Sequence, residues 1–204
     1  MFITFEGIDY SGKSTQAKLL YEYFKSKKIK SIFVREPGGT LISEKIREIL
    51  LHRKHLEMLP ITEFFLFSAS RAQLVNEVIK PNLKNIVVVI CDRYYDSSTA
   101  YQGFGGKLDV KKINGVNDFA ASYLEPDITF LLNITPGIAF RRAKKQGKKK
   151  DRMESKDRLF YSRVYEGFKT IANKNKNRIV LINGRKSVKN IHQEIIKIVS
   201  KKLK

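Results

Sequence analysis

The stretch "FITFEGIDYSGKST", residues 2–15, decides the fold. "FITFE" is short, aromatic and β-branched, the composition of a strand. Gly7 to Ser14 then fits G-x-x-x-x-G-K-[ST], and the helical spacing of Ala17, Leu20, Tyr21 and Phe24 follows directly. A strand, a glycine-rich turn and a helix N-terminus in that order form an anion cradle. Backbone N–H groups across Gly7, Ile8, Asp9, Tyr10, Ser11 and Gly12 can curl around a phosphate, with Lys13 reaching the terminal phosphates and Thr15 completing the loop. The Ser14 hydroxyl can hold Mg²⁺. Tyr10 is the odd residue, a bulky neutral ring where such loops place something small or charged. The positive charge for moving a phosphoryl group must then come from elsewhere in the chain.

Outward from the loop, four more apolar runs read as strands: "SIFVR" (31–35), "IVVVIC" (86–91), "ITFLLNI" (128–134) and "RIVLIN" (178–183). Their near-continuous hydrophobicity predicts strands buried on both faces, as in a parallel sheet. Between them lie stretches with helical period: 13–28, 42–51 with Ile42, Ile46, Ile49 and Leu50, 61–80 entered by Pro60 and stopped by Pro81, 155–173, and 187–203 with Ile191, Ile195, Ile198 and Val199 facing inward. Alternation of strand and helix predicts an α/β fold, a doubly wound five-stranded parallel sheet with helices on both faces and ligands at the carboxyl ends of the strands. At 204 residues the chain is expected to be one domain, 1–204.

The motifs fall at those strand ends. "REPGGT" follows the second strand: Pro37 forces Glu36 extended, the glycines turn the chain, and Thr40 can cap the next helix. Arg35 and Glu36 project there toward a ligand. "CDRYYDSSTAYQG" follows the third strand, where Asp92 and Arg93 emerge facing the loop, one able to hold a metal or orient an oxygen, the other a planar fork for a phosphate. In "FLFSASRAQ", Phe67 and Arg71 share a helix face and form a candidate base-stacking pair. The run "FRRAKKQGKKKDRMESKD" (140–157) follows the fourth strand, where a basic lid at about 141–154 would close over a nucleotide.

Composition narrows the classes. Cys91 is the one cysteine, which excludes a disulfide framework, and it reads as a small core residue. His52, His55 and His192 lack metal-ligand spacing, no apolar stretch approaches the roughly 20 residues that span a bilayer, and "MFITFEGIDY" does not read as a signal peptide. A cytoplasmic protein with no membrane contact is expected. The net charge of +20 is uneven: residues 1–140 hold 18 basic and 15 acidic residues, residues 141–204 hold 22 and 5. Such a field suits nucleic acid or small phosphorylated substrates. No aromatic residue interleaves the lysines of 141–152, which speaks against nucleic acid.

Taken together, "FEGIDYSGKSTQ", "REPGGT", "LFSASRAQ", "DRYYDSSTAYQG" and "DRME", in order over residues 5–154, resemble bacterial-type thymidylate kinases, P-loop nucleoside monophosphate kinases that pass the γ-phosphate of ATP to dTMP. The resemblance implies ATP and dTMP as partners, Mg²⁺ as cofactor, and a homodimer. By the same likeness Lys13, Ser14 and the loop hold ATP phosphates, and Asp9 positions the acceptor's sugar and phosphate. Arg35 and Arg93 bind the acceptor phosphate and Asp92 lies near Mg²⁺. Phe67 stacks on thymine, Arg71 reaches its edge, and Ser98, Tyr101 and Gln102 line the sugar and base pocket. In the lid, Asp151, Arg152 and Glu154 match D-R-x-E, with Glu154 near the metal. With Tyr10 uncharged, the lid arginines are expected to neutralise the transition state, Arg142 first and Arg152 next, while Lys148, Lys149 and Lys150 matter less.

Overall fold

The computed structural model describes residues 1–85, 87–147 and 151–203. Ile86, the lid lysines Lys148, Lys149 and Lys150, and Lys204 lie outside the described residues, so the expectations placed on them are not followed further. Five strands, β1 (Phe2–Glu6), β2 (Ser31–Arg35), β3 (Val88–Asp92), β4 (Ile128–Asn133) and β5 (Ile179–Asn183), form one parallel sheet in the order β2-β3-β1-β4-β5. The helices are α1 (Lys13–Ser26), α2 (Leu41–Leu51), α3 (Pro60–Leu74), α4 (Lys80–Lys84), α5 (Tyr95–Ser98), α6 (Val110–Ala120), α7 (Pro136–Gln146), α8 (Arg158–Lys174) and α9 (Val188–Lys202), with π-helical segments at Val75–Ile79 and Thr99–Gly105.

The period of two sorts each central strand between two cores. Ile3 and Phe5 of β1, Val88 and Ile90 of β3, and Phe130 of β4 pack with Ala17, Leu20 and Phe24 of α1 and Ile191, Ile195 and Val199 of α9. The intervening residues Phe2, Val89 and Cys91 face the opposite cluster with Leu74, Val75 and Ile79. Cys91 is the core residue expected. Burial on both faces holds for β1, β3 and β4, but β2 and β5 are edge strands with only part of their residues buried. An edge has a neighbour on one side, and helices do not cover it fully.

Pro81 does not stop the long helix. The π-helical turn before it widens the ladder, so that the Lys80 N–H reaches back to the Val75 carbonyl, and α4 carries the chain through the proline to Lys84. A proline ring clashes with the carbonyl four residues earlier in a regular helix, and the wider turn moves that carbonyl away. The second π-helical segment carries Tyr101 and Gln102 toward the carboxyl ends of the strands.

Candidate active site

The strand order fixes where a ligand fits. The connection from β1 runs to one side of the sheet and that from β3 to the other, so a crevice opens outside their carboxyl ends. The loop after β1 and the Asp92-Arg93 pair after β3 flank it. A cavity of about 530 Å³ occupies this crevice, a volume suited to nucleotide-sized ligands. In the loop, Gly7 has φ 136° and a Cβ there would lie 2.8 Å from the Leu132 carbonyl, so only glycine lets the loop pass β4. Gly12, at φ 98°, turns the chain into α1, and Lys13 is buried at its first turn.

Asp9 is the electrostatic hub. Its carboxylate pairs with the Arg93 guanidinium, lies 3.8 Å from the Lys13 ammonium, and accepts from the Tyr101 and Tyr161 hydroxyls at 2.8 and 2.9 Å. Burial alone would raise its pKa, but Arg93, Lys13 and the two hydroxyls outweigh that and bring it down to about 2. Lys13 is pushed below its usual value by burial and by Arg93. Arg93 also donates to the Gly7 carbonyl and to Ser97 Oγ, both at 3.0 Å, and its ring-stacked fork sits 5.0 Å over Tyr101. Its φ of 73° is left-handed, a conformation costing roughly 1–2 kcal/mol that surrounding contacts must hold.

Farther along the crevice, Arg71 is almost wholly buried and donates to Glu36 at 2.9 Å, to Asn117 Oδ1 at 2.8 Å and to Ser98 Oγ at 2.9 Å. Glu36 Oε1 has no protein partner, and burial raises the pKa of its carboxyl against the pull of Arg71. Arg71 therefore does more than the ligand contact expected of it: it is also the hub of a buried polar network. Phe67 lies half-buried one turn earlier on α3. Gln102 donates to Glu63 Oε1 at 2.8 Å. Arg35 is tied to the Pro37 carbonyl and to Glu44 at 2.9 and 3.0 Å.

The lid differs most from the sequence reading. Arg142, on α7, donates to the Tyr10 and Ser11 carbonyls at 3.2 and 3.1 Å and to the Gly184 carbonyl at 2.7 Å, so it clamps the phosphate loop to the turn after β5. Arg152 does not overlook the cavity: it is buried against Glu63 at 2.6 Å and the Leu50 carbonyl at 2.6 Å. Glu154 accepts from the Asp151 N–H at 3.2 Å and donates its own N–H to Asp151 Oδ1 at 2.8 Å. Burial and the Asp151 charge raise its pKa, while the Asp151 N–H opposes the rise.

The cavity thus brings together Asp9, Tyr10, Gly12, Lys13, Ser14 and Thr15 of the loop, Arg35 and Glu36, Phe67 and Arg71, Asp92 and Arg93, Ser98, Tyr101 and Gln102, and Arg142 and Glu154 of the lid. Gly7, Ile8, Ser11 and Arg152 lie behind its wall: Ile8 packs in the core and Ser11 is buried. Two residues escaped the sequence reading. Arg47 of α2 lines the cavity and donates to the Pro37 carbonyl at 2.9 Å. Tyr161 of α8 reaches Asp9. An arginine inside "EKIREIL" carries no signal separating it from a solvated helix face, and "RLFYSRV" gives none for Tyr161.

Comparison with known proteins follows the same lines. A family model described as Thymidylate kinase matches residues 5–195. A thymidylate kinase of Thermosipho africanus is 47% identical over 100% of this chain and 99% of its own length, and one of Exiguobacterium sp. is 46% identical over 96% and 92%. The crystal structure of thymidylate kinase from Ehrlichia chaffeensis superposes with a TM-score of 0.79 at 37% identity, covering 98% of each chain.

Proposed function

This chain belongs to the thymidylate kinase family, and from that premise we propose how its crevice transfers the γ-phosphoryl group of ATP to dTMP, giving dTDP and ADP. The observation that carries the reading is the single cavity running from Lys13 and Ser14 to Phe67 and Gln102, with Arg93 between them. In this reading the loop from Gly7 to Thr15 holds ATP phosphates, Lys13 neutralises the transferred group, and Arg35, Arg47 and Arg93 hold the acceptor phosphate. Phe67 stacks on thymine, Arg71 and Gln102 meet its edge with Ser98 beside them, Glu36 holds Arg71 in place, and Tyr101 with Asp9 packs the deoxyribose. An oxygen of the acceptor phosphate attacks the γ-phosphorus as its bond to the β-bridging oxygen breaks. A phosphate dianion is already a nucleophile near neutral pH, so alignment and charge neutralisation suffice without a strong general base.

For a cation, Asp92 offers a fitting atom: its Oδ1 is buried beside the cavity without a hydrogen-bond partner. Among the described residues no group of three His, Cys, Asp or Glu could hold a metal by itself. Mg²⁺ would then take most ligands from phosphates and water, with Ser14 and Asp92 from the protein, and would supply charge neutralisation when bound. Glu154, expected beside it, is tied to Asp151 in a tight turn and is left out of that shell. Arg142 acts in this reading by fixing the loop and Arg152 by fixing the base of the lid.

We further propose a homodimer. Ile42 and Ile49 of α2 and Ile61 and Phe65 of α3 lie exposed on two helices that pack together, an apolar face of the kind that self-association covers. Nucleotide substrates and a lone buried thiol fit a cytoplasmic setting. The test of the reaction is ADP formation from ATP and Mg²⁺ with each monophosphate in turn. dTMP should exceed dCMP, dGMP and AMP by at least about a hundredfold in kcat/KM, since a wrong base leaves the pocket's polar groups unpaired. Comparable rates with AMP overturn the assignment.

A further inference from the structure

Arg93 keeps its left-handed φ of 73° only under restraint, and its backbone restraints come from one short stretch of chain. Its N–H donates to the Phe5 carbonyl at 3.0 Å and its Nη1 to the Gly7 carbonyl at 3.0 Å. Between those two residues lies Glu6, the last of β1 and 1% exposed. A buried carboxyl is costly unless donors meet it, and three do. Its Oε1 accepts from the Tyr94 N–H at 2.7 Å and from the Ser97 N–H at 3.3 Å, and its Oε2 pairs with the Ser97 hydroxyl at 2.5 Å. Ser97 Oγ in turn accepts from Arg93 Nη1 at 3.0 Å. Glu6 therefore grips Arg93 twice, through the next backbone N–H and through the Ser97 hydroxyl. Asp96, the neighbouring carboxylate on α5, is committed elsewhere, to Arg178 at 2.7 and 2.9 Å.

We propose that Glu6 is a positioning residue for phosphoryl transfer, locking Arg93 in the left-handed conformation that aims its guanidinium into the cavity beside the phosphate loop. The inference rests on the reading of Arg93 as a ligand of the acceptor phosphate. Phe5, Glu6 and Gly7 are consecutive, so the arginine is fixed to the same few atoms from which the phosphate loop departs. That sets the spacing between the donor's cradle and the acceptor's fork. Asp9 and Tyr101 also hold the guanidinium, but both line the cavity, where an incoming phosphate competes for the same N–H groups. Glu6 grips from behind the cavity wall and keeps its hold when the site fills. Without it the strain has a way out: Arg93 relaxes to negative φ and the fork swings away. Glutamine at position 6 keeps an oxygen for both N–H groups and turns its amide N–H toward Ser97 Oγ, which still has a lone pair for Arg93, whereas alanine removes the lock.

The experiment compares Glu6→Gln, Glu6→Ala, Ser97→Ala and Arg93→Ala, and combines each of the first three with Arg93→Ala. It measures dTMP affinity by calorimetry without ATP, affinity for a non-hydrolysable ATP analogue, kcat/KM for dTMP, Tm, and the Arg93 φ in nucleotide-free crystal structures. In Glu6→Ala and Ser97→Ala, dTMP affinity and kcat/KM should each fall about tenfold, while analogue affinity stays within about twofold. Glu6→Gln should recover to within about threefold of wild type. Once Arg93 is alanine, the second substitution should cost less than about twofold more, since nothing remains to be positioned. Arg93 should keep its left-handed φ in wild type and in Glu6→Gln and leave it in Glu6→Ala. A residue serving only the fold would lower Tm with dTMP affinity unchanged, or would add its full loss to that of Arg93→Ala. Either result overturns the proposal, as does an Arg93 backbone unmoved in Glu6→Ala. If Glu6→Ala does not fold, Ser97→Ala and its double variant decide by the same affinities. The φ of Arg93 is read without ligand, so it fails separately from the acceptor-phosphate reading, which falls if Arg93→Ala binds dTMP as wild type does.

Discussion

Replacing Arg71 by alanine separates a ligand contact from a structural one. The guanidinium is 1% exposed, and its loss strips partners from Glu36, Asn117 and Ser98 at once. Glu36 suffers most, because its Oε1 already lacks a partner among the described residues and Oε2 would lose the Arg71 guanidinium 2.7 Å away. Removing one member of a buried ion pair costs about 3–5 kcal/mol. At roughly 2–4 °C per kcal/mol for a chain of this size, Tm should fall by about 6–20 °C. The loss should also depend on pH. Burial already raises the Glu36 pKa, and without Arg71 it rises further. A carboxyl that binds its proton more tightly in the folded state than in the unfolded one takes stability away as pH rises, so the variant should be more stable at pH 6 than at pH 8. Glu36→Gln in the same background removes the stranded charge and should restore part of the Tm and flatten that slope. The assay is thermal unfolding by circular dichroism from pH 5.5 to 8.5, beside KM for dTMP and ATP. If Arg71→Ala melts within about 2 °C of wild type at every pH and only KM for dTMP changes, the network contributes nothing and Arg71 serves the ligand alone.

Two further outcomes follow from buried carboxylates. Burial, with Asp96 nearby, pushes the Glu6 carboxyl up to about 8 against hydrogen bonds from Ser97 and Tyr94 and the nearby charge of Arg93, so stability should decline from about pH 4.5 to 8 as the unfolded chain releases a proton that the folded one keeps. Glu6→Gln should flatten that decline in a urea-denaturation series, and an unaltered slope would show that Glu6 is ionised throughout. Asp92→Asn should raise the Mg²⁺ concentration for half-maximal turnover at least about tenfold while dTMP binding measured without Mg²⁺ is unchanged, and an unshifted Mg²⁺ titration removes Asp92 from the cation's surroundings.

The central strands are legible because burial on both faces makes them mostly apolar, as in "FITFE" and "ITFLLN", with Thr4 and Thr129 bonded to each other across the sheet, and the phosphate loop is legible because its glycines answer a backbone requirement. What could not be read is wherever a local rule was overridden by a neighbour. Pro81 reads as a stop, yet the preceding π-helical turn lets the chain pass. The stripe of Ile42, Ile46, Ile49 and Leu50 reads as one face, yet Leu50 alone of the four is buried, Ile46 is half-buried, and Ile42 and Ile49 open outward. The segment 99–105 has no helical period to detect, because a π-helix spaces its faces differently.

The site shows the same limit in electrostatic form. A sequence counts charges but does not count their partners. Arg142 and Arg152 stand out in the sequence as dense local charge, but three carbonyls hold one, and Glu63 with the Leu50 carbonyl holds the other. Freeing either would leave buried acceptors unpaired, at about 1–3 kcal/mol each. Lys13 differs: its nearest carboxylate is 3.8 Å away, too far for a good hydrogen bond, and it lines the cavity. Arg47 is also set apart, since burial and the neighbouring Arg35 lower its pKa, the mark of a cation that an incoming anion would relieve. In the reading proposed above, the charge for the transfer comes from Lys13 on the donor side and from Arg35, Arg47 and Arg93 on the acceptor side, while Arg142 and Arg152 keep that arrangement in place.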